Sequence, residues 1–433
     1  MRVTMAVEAT KNRWLIAAAA VGIHISIGSV YSWSVFTNPM NEAFGWSLTA
    51  ISITFSIAIA FLGLSAAFMG HFVEKYGPRV SGLVSTGFFA AGMLGSGLAA
   101  QLESIWLMYV AYGALGGFGL GVGYITPVST LVKWFPDRRG MATGLAIMGF
   151  GFASVIASPL IQNFIAMFGI AGTFFALGAI YFVVMLPSAL YLERPPEGWK
   201  PQSMLDKEEE EGEEQGNQDL SYLSANESIK TRRFYLLWLM LFINVTCGIA
   251  ILSVAGPMGE EIAGLSAAAA ATMVGIMGFF NGAGRLAWAS ISDYIGRANV
   301  YTAFFVIQVV SFLVLPSITH ALMFQAILFL IMTCYGGGFA TVPAFIGDLF
   351  GTKQLGAIHG YILTAWAAAG LIGPVVVSWL REVTDSYVLT MYIFGGMFVV
   401  ALAASLIIRI DMNRLRKENA EAAEKGNTSP AGN

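Results

Sequence analysis

Arg285 lies eight residues inside a hydrophobic run, MVGIMGFFNGAGRLAWASISDYIGR at 273–297, counted back from the charged turn that begins at Asp293. At 1.5 Å per residue that depth is about 12 Å of helix, near the middle of a hydrocarbon core about 30 Å thick. A cation so deep is costly, by a few kcal/mol on insertion scales, and such residues face a cavity and mark a substrate or ion path. Its guanidinium presents five donors in a planar fork, which matches a carboxylate bidentately and does so better than Lys. Asn281 stands one turn earlier on the same face. It is placed either to orient the guanidinium, to donate to a guest, or simply to bond a neighbouring helix. Arg285 therefore reads as the anion receptor of a membrane carrier.

Around that pair the sequence offers aromatic hydroxyls at similar depth. They are Tyr31 in the first apolar run, Tyr124 beside Pro127 in the fourth, and Tyr335 in the tenth, with Phe339 one turn later. No Asp or Glu falls in the middle of any run. His24, in the first, is the neutral-range titratable group at depth, so either His24 or the substrate carboxylate is expected to carry a proton beside Arg285. A histidine satisfied by a neighbouring helix is the plainer alternative. His71, His320 and His359 fall near helix ends and attract no special role. Cys247 and Cys334 lie inside runs, where an apolar role is expected and a structural disulfide is not.

These residues need a membrane scaffold, and composition supplies one. Of the 433 residues 56% are hydrophobic and 11% charged, a balance no soluble domain of this length carries. Twelve apolar runs of spanning length occur, near 14–37, 48–70, 79–101, 104–131, 140–168, 171–192, 234–258, 268–291, 299–318, 321–347, 356–380 and 387–410. With both termini placed in the cytosol, the even-numbered connections hold Lys75, Arg79, Lys133, Arg138, Arg139, Arg297 and Lys353. All but Arg285 and Arg381 of the 23 basic residues are then cytoplasmic, as the positive-inside rule demands. The N-terminus shows no cleavage-like segment, so the first run is read as retained.

A six-plus-six organisation follows from internal repetition. Pro127, Gly140 and Gly144 in the first half and Pro343, Gly356 and Gly360 in the second share one spacing, and GHFVEKYGPR at 70–79 is echoed by SISDYIGR at 290–297. Such duplication suits carriers that rock two bundles about a central site. The expected units are a bundle at 1–192, a cytoplasmic linker at 193–233, a bundle at 234–410 and a cytoplasmic tail at 411–433. Proline, glycine and a block of acids make the linker read as solvated and largely disordered. Gly113, Gly117 and Gly121 share a face of the fourth run and Gly336 to Gly338 interrupt the tenth, giving close and sliding helix contacts or static packing. No GxxxxGK[ST] loop, HExxH, GxSxG or paired intramembrane carboxylates occur, so gradient-driven transport is expected rather than ATP hydrolysis or enzymatic catalysis. No metal, cofactor or nucleic acid is expected.

The turns at 70–79 and 292–297, with the proline-to-basic-loop pattern at 127–139, resemble the signature turns of the major facilitator superfamily. That resemblance implies an all-α fold of twelve transmembrane helices in two six-helix bundles. It also implies latches at the cytoplasmic face in which an acid and an Arg lock the bundles, here Glu74 with Arg79 and Asp293 with Arg297. More narrowly, GIHISIGSVYSWSVF, GYITPV, NGAGR and CYGGGFATVPA are similar to the oxalate/formate antiporter family. There an Arg of helix 8 and a Lys of helix 11 hold a dianion between aromatic walls. Arg285 matches the Arg; Tyr124, Tyr335 and Phe339 match cage positions; Trp366 occupies the Lys position.

One buried cation leaves the second charge of a dicarboxylate unpaired, at a cost of several kcal/mol. The expectation is accordingly a secondary carrier of a small monocarboxylate such as lactate or pyruvate, moving with a proton, in the inner membrane and active as a monomer. Exchange of oxalate for formate is the alternative, and a sensor on a carrier scaffold is a more remote one. A more distant resemblance joins the chain to the monocarboxylate transporters. Their Asp one turn before the Arg is Asn281 here, and their Lys in helix 1 has no counterpart.

Overall fold

A computed structural model describes residues 11–205 and 220–427. The acidic block of the linker lies outside the described residues. Ten helical stretches within them are long and apolar enough to cross a membrane. One of these, Ile53–Gln101, has 49 residues, about twice a single crossing, and belongs to a helical run, Leu48–Gln101, broken at Gly77. The helix carrying Arg285, Ala267–Ile295, is the eighth in chain order and brings the number of spans to twelve. The chain thus forms twelve transmembrane helices in two six-helix bundles.

Local chemistry sets the ends of these helices. Ser47, Ser104, Thr231 and Ser266 each accept a backbone N–H of the first turn with the side-chain oxygen, satisfying donors that have no partner inside the helix. Gly77 and Gly296 occupy equivalent places in the repeated turn, at φ 83° and 84°, a region that only glycine enters without strain.

Several spans depart from the sequence expectation. The first is a helix over Arg13–Ile27, a 3₁₀ turn over Gly28–Ser32 and a further helix over Ser34–Phe44, so it runs past residue 37. At Gly28 it crosses the fifth span so closely that a side chain would meet the Phe150 backbone and Ala153. The fourth span is π-helical over Tyr109–Gly116 before Gly117–Trp134. The eleventh divides at Leu363 into Leu355–Ile362 and Thr364–Thr384. The twelfth continues from Val388 to Asn427, so the expected tail is helical over most of its length.

The described parts of the linker are packed, against the expectation of solvation. Leu220 and Leu223 donate backbone N–H groups to the carbonyls of Asp348 and Phe350 at 2.8 and 3.0 Å, and the Ser221 hydroxyl donates to the Leu349 carbonyl at 2.6 Å. These carbonyls close the tenth span, Ala321–Phe350, and have no acceptor role left inside the helix. The linker supplies their donors. At its other end Trp199 packs on Trp134 with ring centroids 5.0 Å apart, and Trp134 Nε1 donates to the Glu193 carbonyl at 2.6 Å. The Lys11 ammonium bonded to Glu193 holds that carboxyl below the usual carboxylate range.

The bundles meet along two glycine-lined seams. The fifth span lies against the eighth, where a side chain at Gly144 would come within 2.8 Å of the Arg285 carbonyl. The second lies against the eleventh, where one at Gly360 would strike the Ala66 carbonyl. Small residues at such crossings let helix backbones approach.

Candidate functional site

Arg285 is fully buried and reaches from the eighth span across to the first bundle. Its Nε donates to Asn281 Oδ1 at 3.3 Å, and its Nη1 to the Ile147 carbonyl of the fifth span at 3.4 Å. Two aromatic faces flank the guanidinium, Phe339 at 5.3 Å and Phe150 at 5.8 Å from ring centroid to Cζ. Those faces tolerate a desolvated cation better than aliphatic walls would. Nη2 has no partner, and among the described residues no carboxylate pairs with this arginine. A buried cation without a counter-charge is costly.

Trp366 is the hub of an aromatic cluster beside Arg285. It is fully buried, with ring centroids 4.7 Å from Phe339, 5.3 Å from Tyr124, 5.7 Å from Phe150 and 6.4 Å from Tyr31. Tyr335 meets Phe339 edge-on at 5.5 Å, and the Tyr31 hydroxyl is turned toward Arg285 and Tyr335. Among the described residues the Tyr124 hydroxyl and the Trp366 indole N–H are buried without a hydrogen-bond partner, while the Tyr31 and Tyr335 hydroxyls face each other and Tyr31 faces Arg285. Every residue expected around the anion from the sequence is thus brought into one chamber, drawn from spans 1, 4, 8, 10 and 11. Behind it, Asn244 Nδ2 donates to the Tyr335 carbonyl at 3.1 Å, and Gln308 Nε2 donates to Asn244 Oδ1 at 3.0 Å. This pair steadies the glycine-interrupted part of the tenth span.

Phe150 was not foreseen. It contacts Tyr31 at 5.0 Å and Tyr124 at 5.4 Å as well as Trp366 and Arg285. Its flanking residues, Gly149 and Gly151, were the available signal. The latter packs against Gly282 and the Arg285 side chain.

His24 is fastened inside the first bundle. Its Nδ1 lies 2.8 Å from the Ala146 carbonyl and its Nε2 3.0 Å from the Tyr124 carbonyl, so the ring ties spans 1, 4 and 5. It also stacks on Tyr124 at 5.2 Å. Both partners are carbonyl acceptors, so a neutral ring donates its N–H to one of them and a protonated ring donates to both.

At the charged end of the bundles each carboxylate of the repeated turn reaches into the other bundle. Glu74 Oε1 accepts the Gly356 N–H at 2.7 Å while Oε2 pairs with Lys133 at 2.7 Å. Asp293 accepts the N–H groups of Gly140 and Met141, both at 2.8 Å, and pairs with Arg297 at 2.8 Å. Each acid thus caps the first turn of a helix in the opposite bundle, where unpaired N–H groups and the helix dipole favour negative charge. Asp348 extends the network to Arg297 at 3.3 Å and Arg139 at 3.4 Å. Arg79 stands apart. It pairs with Glu193 at 3.2 Å and is half exposed, and Lys133 takes the place expected for it beside Glu74.

Comparison with known proteins agrees with this geometry. The sequence profile of the Major Facilitator Superfamily matches residues 16–374, and again 237–431. The chain belongs to the Major Facilitator Superfamily. It is a multi-pass membrane transporter and not an enzyme. It is 29% identical to the oxalate:formate antiporter of Oxalobacter formigenes over 366 residues, covering 84% of this chain and 83% of that protein. Monocarboxylate transporter 1 of Mus musculus is 23% identical over 444 residues, 94% of this chain and 87% of that one. Among solved structures this facilitator superposes on the E. coli fucose:proton symporter FucP with a TM-score of 0.70 at 14% identity, covering 92% of this chain and 99% of that one.

Proposed function

We propose that this facilitator carries small monocarboxylates of the lactate and pyruvate kind, together with a proton, by alternating access. The observation that carries the reading is buried Arg285, whose Nη2 has no hydrogen-bond partner among the described residues and whose neighbourhood holds the hydroxyls of Tyr31, Tyr124 and Tyr335. One carboxylate would neutralise the guanidinium and accept from the phenols, while Phe150, Phe339 and Trp366 enclose a short carbon tail. The names of two relatives, an oxalate:formate antiporter and a monocarboxylate transporter, lend support for an organic anion. The charged end is taken as cytosolic, with both termini there, in the inner membrane. The functional unit is a monomer of two bundles, 1–192 and 234–410, joined by 193–233, and Glu74, Asp293 and Arg297 serve as its cytoplasmic gate.

Trp366 favours one carboxylate over two. Where a second cation would serve a dianion, this chain presents an apolar ring at the centre of the chamber. Thermal stabilisation of the purified protein is expected with lactate and pyruvate and not with oxalate or malonate. Trp366→Lys is expected to reverse that order, since a second buried cation pairs the second carboxylate. Stabilisation of the parent by oxalate, with oxalate/formate counterflow in liposomes, would establish the exchanger reading instead.

A further inference from the structure

We propose that His24, in the first span, carries the proton that accompanies the carboxylate. This rests on the carboxylate reading of Arg285. The ring is fully buried, and each nitrogen faces a carbonyl oxygen, Nδ1 that of Ala146 at 2.8 Å and Nε2 that of Tyr124 at 3.0 Å. A neutral imidazole has one N–H. In that form one nitrogen turns a bare lone pair on an oxygen at hydrogen-bond distance, which is repulsive, whereas an imidazolium donates to both. A third carbonyl, that of Gly123, also acts on the ring. Pro127, four residues on in the same helix, has no N–H to give that oxygen. The first bundle thus holds a cradle of acceptors suited to the charged ring.

Burial and Arg285 oppose that charge. The titratable and charged groups that reach the ring are Tyr124 of the fourth span, Arg285 of the eighth and His359 of the eleventh; from the fifth it meets the Ala146 carbonyl and Phe150. Of these the guanidinium alone is permanently charged. It is anchored beside the imidazole: His24 bonds the Ala146 carbonyl, and Arg285 Nη1 bonds the next one along the helix, that of Ile147, at 3.4 Å. Phe150 flanks both, its ring centroid 6.3 Å from that of the imidazole and 5.8 Å from the guanidinium carbon. With the chamber empty, an imidazolium would be a second buried cation beside a guanidinium that pairs with no carboxylate among the described residues, which is strongly disfavoured. A carboxylate on Arg285 cancels that repulsion, and the acceptors around the ring then favour its protonated form. Anion and proton bind with positive coupling, each strengthening the other to the same degree.

One proton, taken from water on the side where the chamber is open, enters with each carboxylate and leaves with it on the other side. The chamber then carries the same net charge empty and loaded, so a full cycle moves no net charge. The cradle is built from spans 1, 4 and 5, all of the first bundle, so it travels intact as the bundles rock and holds the proton while the chamber is closed. A glycine keeps spans 1 and 5 close enough for the Ala146 bond: a Cβ at Gly149 would lie 3.3 Å from the Val21 carbonyl and 3.5 Å from His24 Cβ.

The test uses the full chain, purified and in proteoliposomes, with labelled lactate as the probe. A carboxylate stays ionised between about pH 6 and 8, so a change of affinity over that range reports protons taken up by the protein. Uptake of one proton on binding makes the parent's lactate affinity fall by about tenfold for each pH unit of rise. His24→Gln and His24→Asn are expected to bind lactate with a pH slope near zero and to lose accumulation driven by an inward pH gradient, while counterflow at equal pH remains measurable. His359→Asn is expected to keep the parent's slope. A flat parent profile, or the parent's slope in both His24 variants, overturns the proposal, and so does loss of lactate binding in both, which would make the ring part of the anion site. Without any variant, lactate added at about pH 7 to parent carrying nitrogen-15 histidine should convert one imidazole to the doubly protonated form, and no conversion overturns the proposal as well. Absence of lactate binding by the parent, or unchanged binding by Arg285→Gln, would instead overturn the carboxylate site itself, whatever His24 does.

Discussion

Arg285→Gln is expected to abolish lactate transport and lactate-dependent thermal stabilisation without lowering the melting temperature of the empty protein. Losing a desolvated charge-assisted pair costs about 2–5 kcal/mol, roughly 30-fold to several thousandfold in affinity at 1.4 kcal/mol per decade. The second half of the expectation separates a receptor from a structural residue. Arg285 makes long hydrogen bonds at 3.3 and 3.4 Å, and among the described residues it pairs with no carboxylate. Removing its charge relieves a burial cost, so the empty variant should melt at or above the parent. A melting temperature several degrees lower, with transport retained, would make Arg285 a structural tie between spans 5 and 8.

Asp293→Ala is expected to shift the molecule out of the state closed at its charged end. The carboxylate accepts two N–H groups of the fifth span and pairs with Arg297, which is buried. Hydrogen bonds to a charged group contribute about 1.5–3 kcal/mol each, and the loss also leaves Arg297 with Asp348 and the Ser292 carbonyl as partners. A net shift of about 2–4 kcal/mol moves the open-to-closed ratio by roughly 30- to 1000-fold. Spin labels at Lys75 and Lys353, exposed on opposite bundles, should report a longer distance population in the variant. Asp293→Asn, which keeps an acceptor but not the charge, should fall between the two. Identical distance distributions in all three proteins would remove Asp293 from the gate.

How far the sequence reached depended on whether a residue carried its own signal. Arg285 and Asn281 were legible because a charge inside an apolar run has few physical explanations. Tyr31, Tyr124, Tyr335 and Phe339 followed from depth, since the spans cross mid-membrane, and Trp366 from the resemblance that sets it at the position of a lysine. Phe150 was hidden because a phenylalanine in a membrane helix looks the same whether it faces lipid or a guest. The full burial of His359 carried no signal in the sequence, because it falls four residues after the start of its helix. Here the seam between the second and eleventh spans seals that end. Lys133 replaced Arg79 beside Glu74 because pairing depends on which face the fourth span presents, and the linear order of the turn does not state it. The linker was read by composition, which did not register that the tenth span ends with three carbonyls in need of donors.

The crossed caps at the charged end have a consequence for the origin of the molecule. Each half carries a plug, the acid of its repeated turn, and a socket, the glycine-marked helix start that receives the acid of the other half. Glu74 fits the socket at Gly356, and Asp293 fits the one at Gly140. A single six-helix ancestor bearing one plug and one socket would already have been self-complementary, able to pair with a second copy of itself about a twofold axis. Fusion of two such copies would then have required no new fastening, only the freedom for one chamber wall to acquire Arg285 while its counterpart did not.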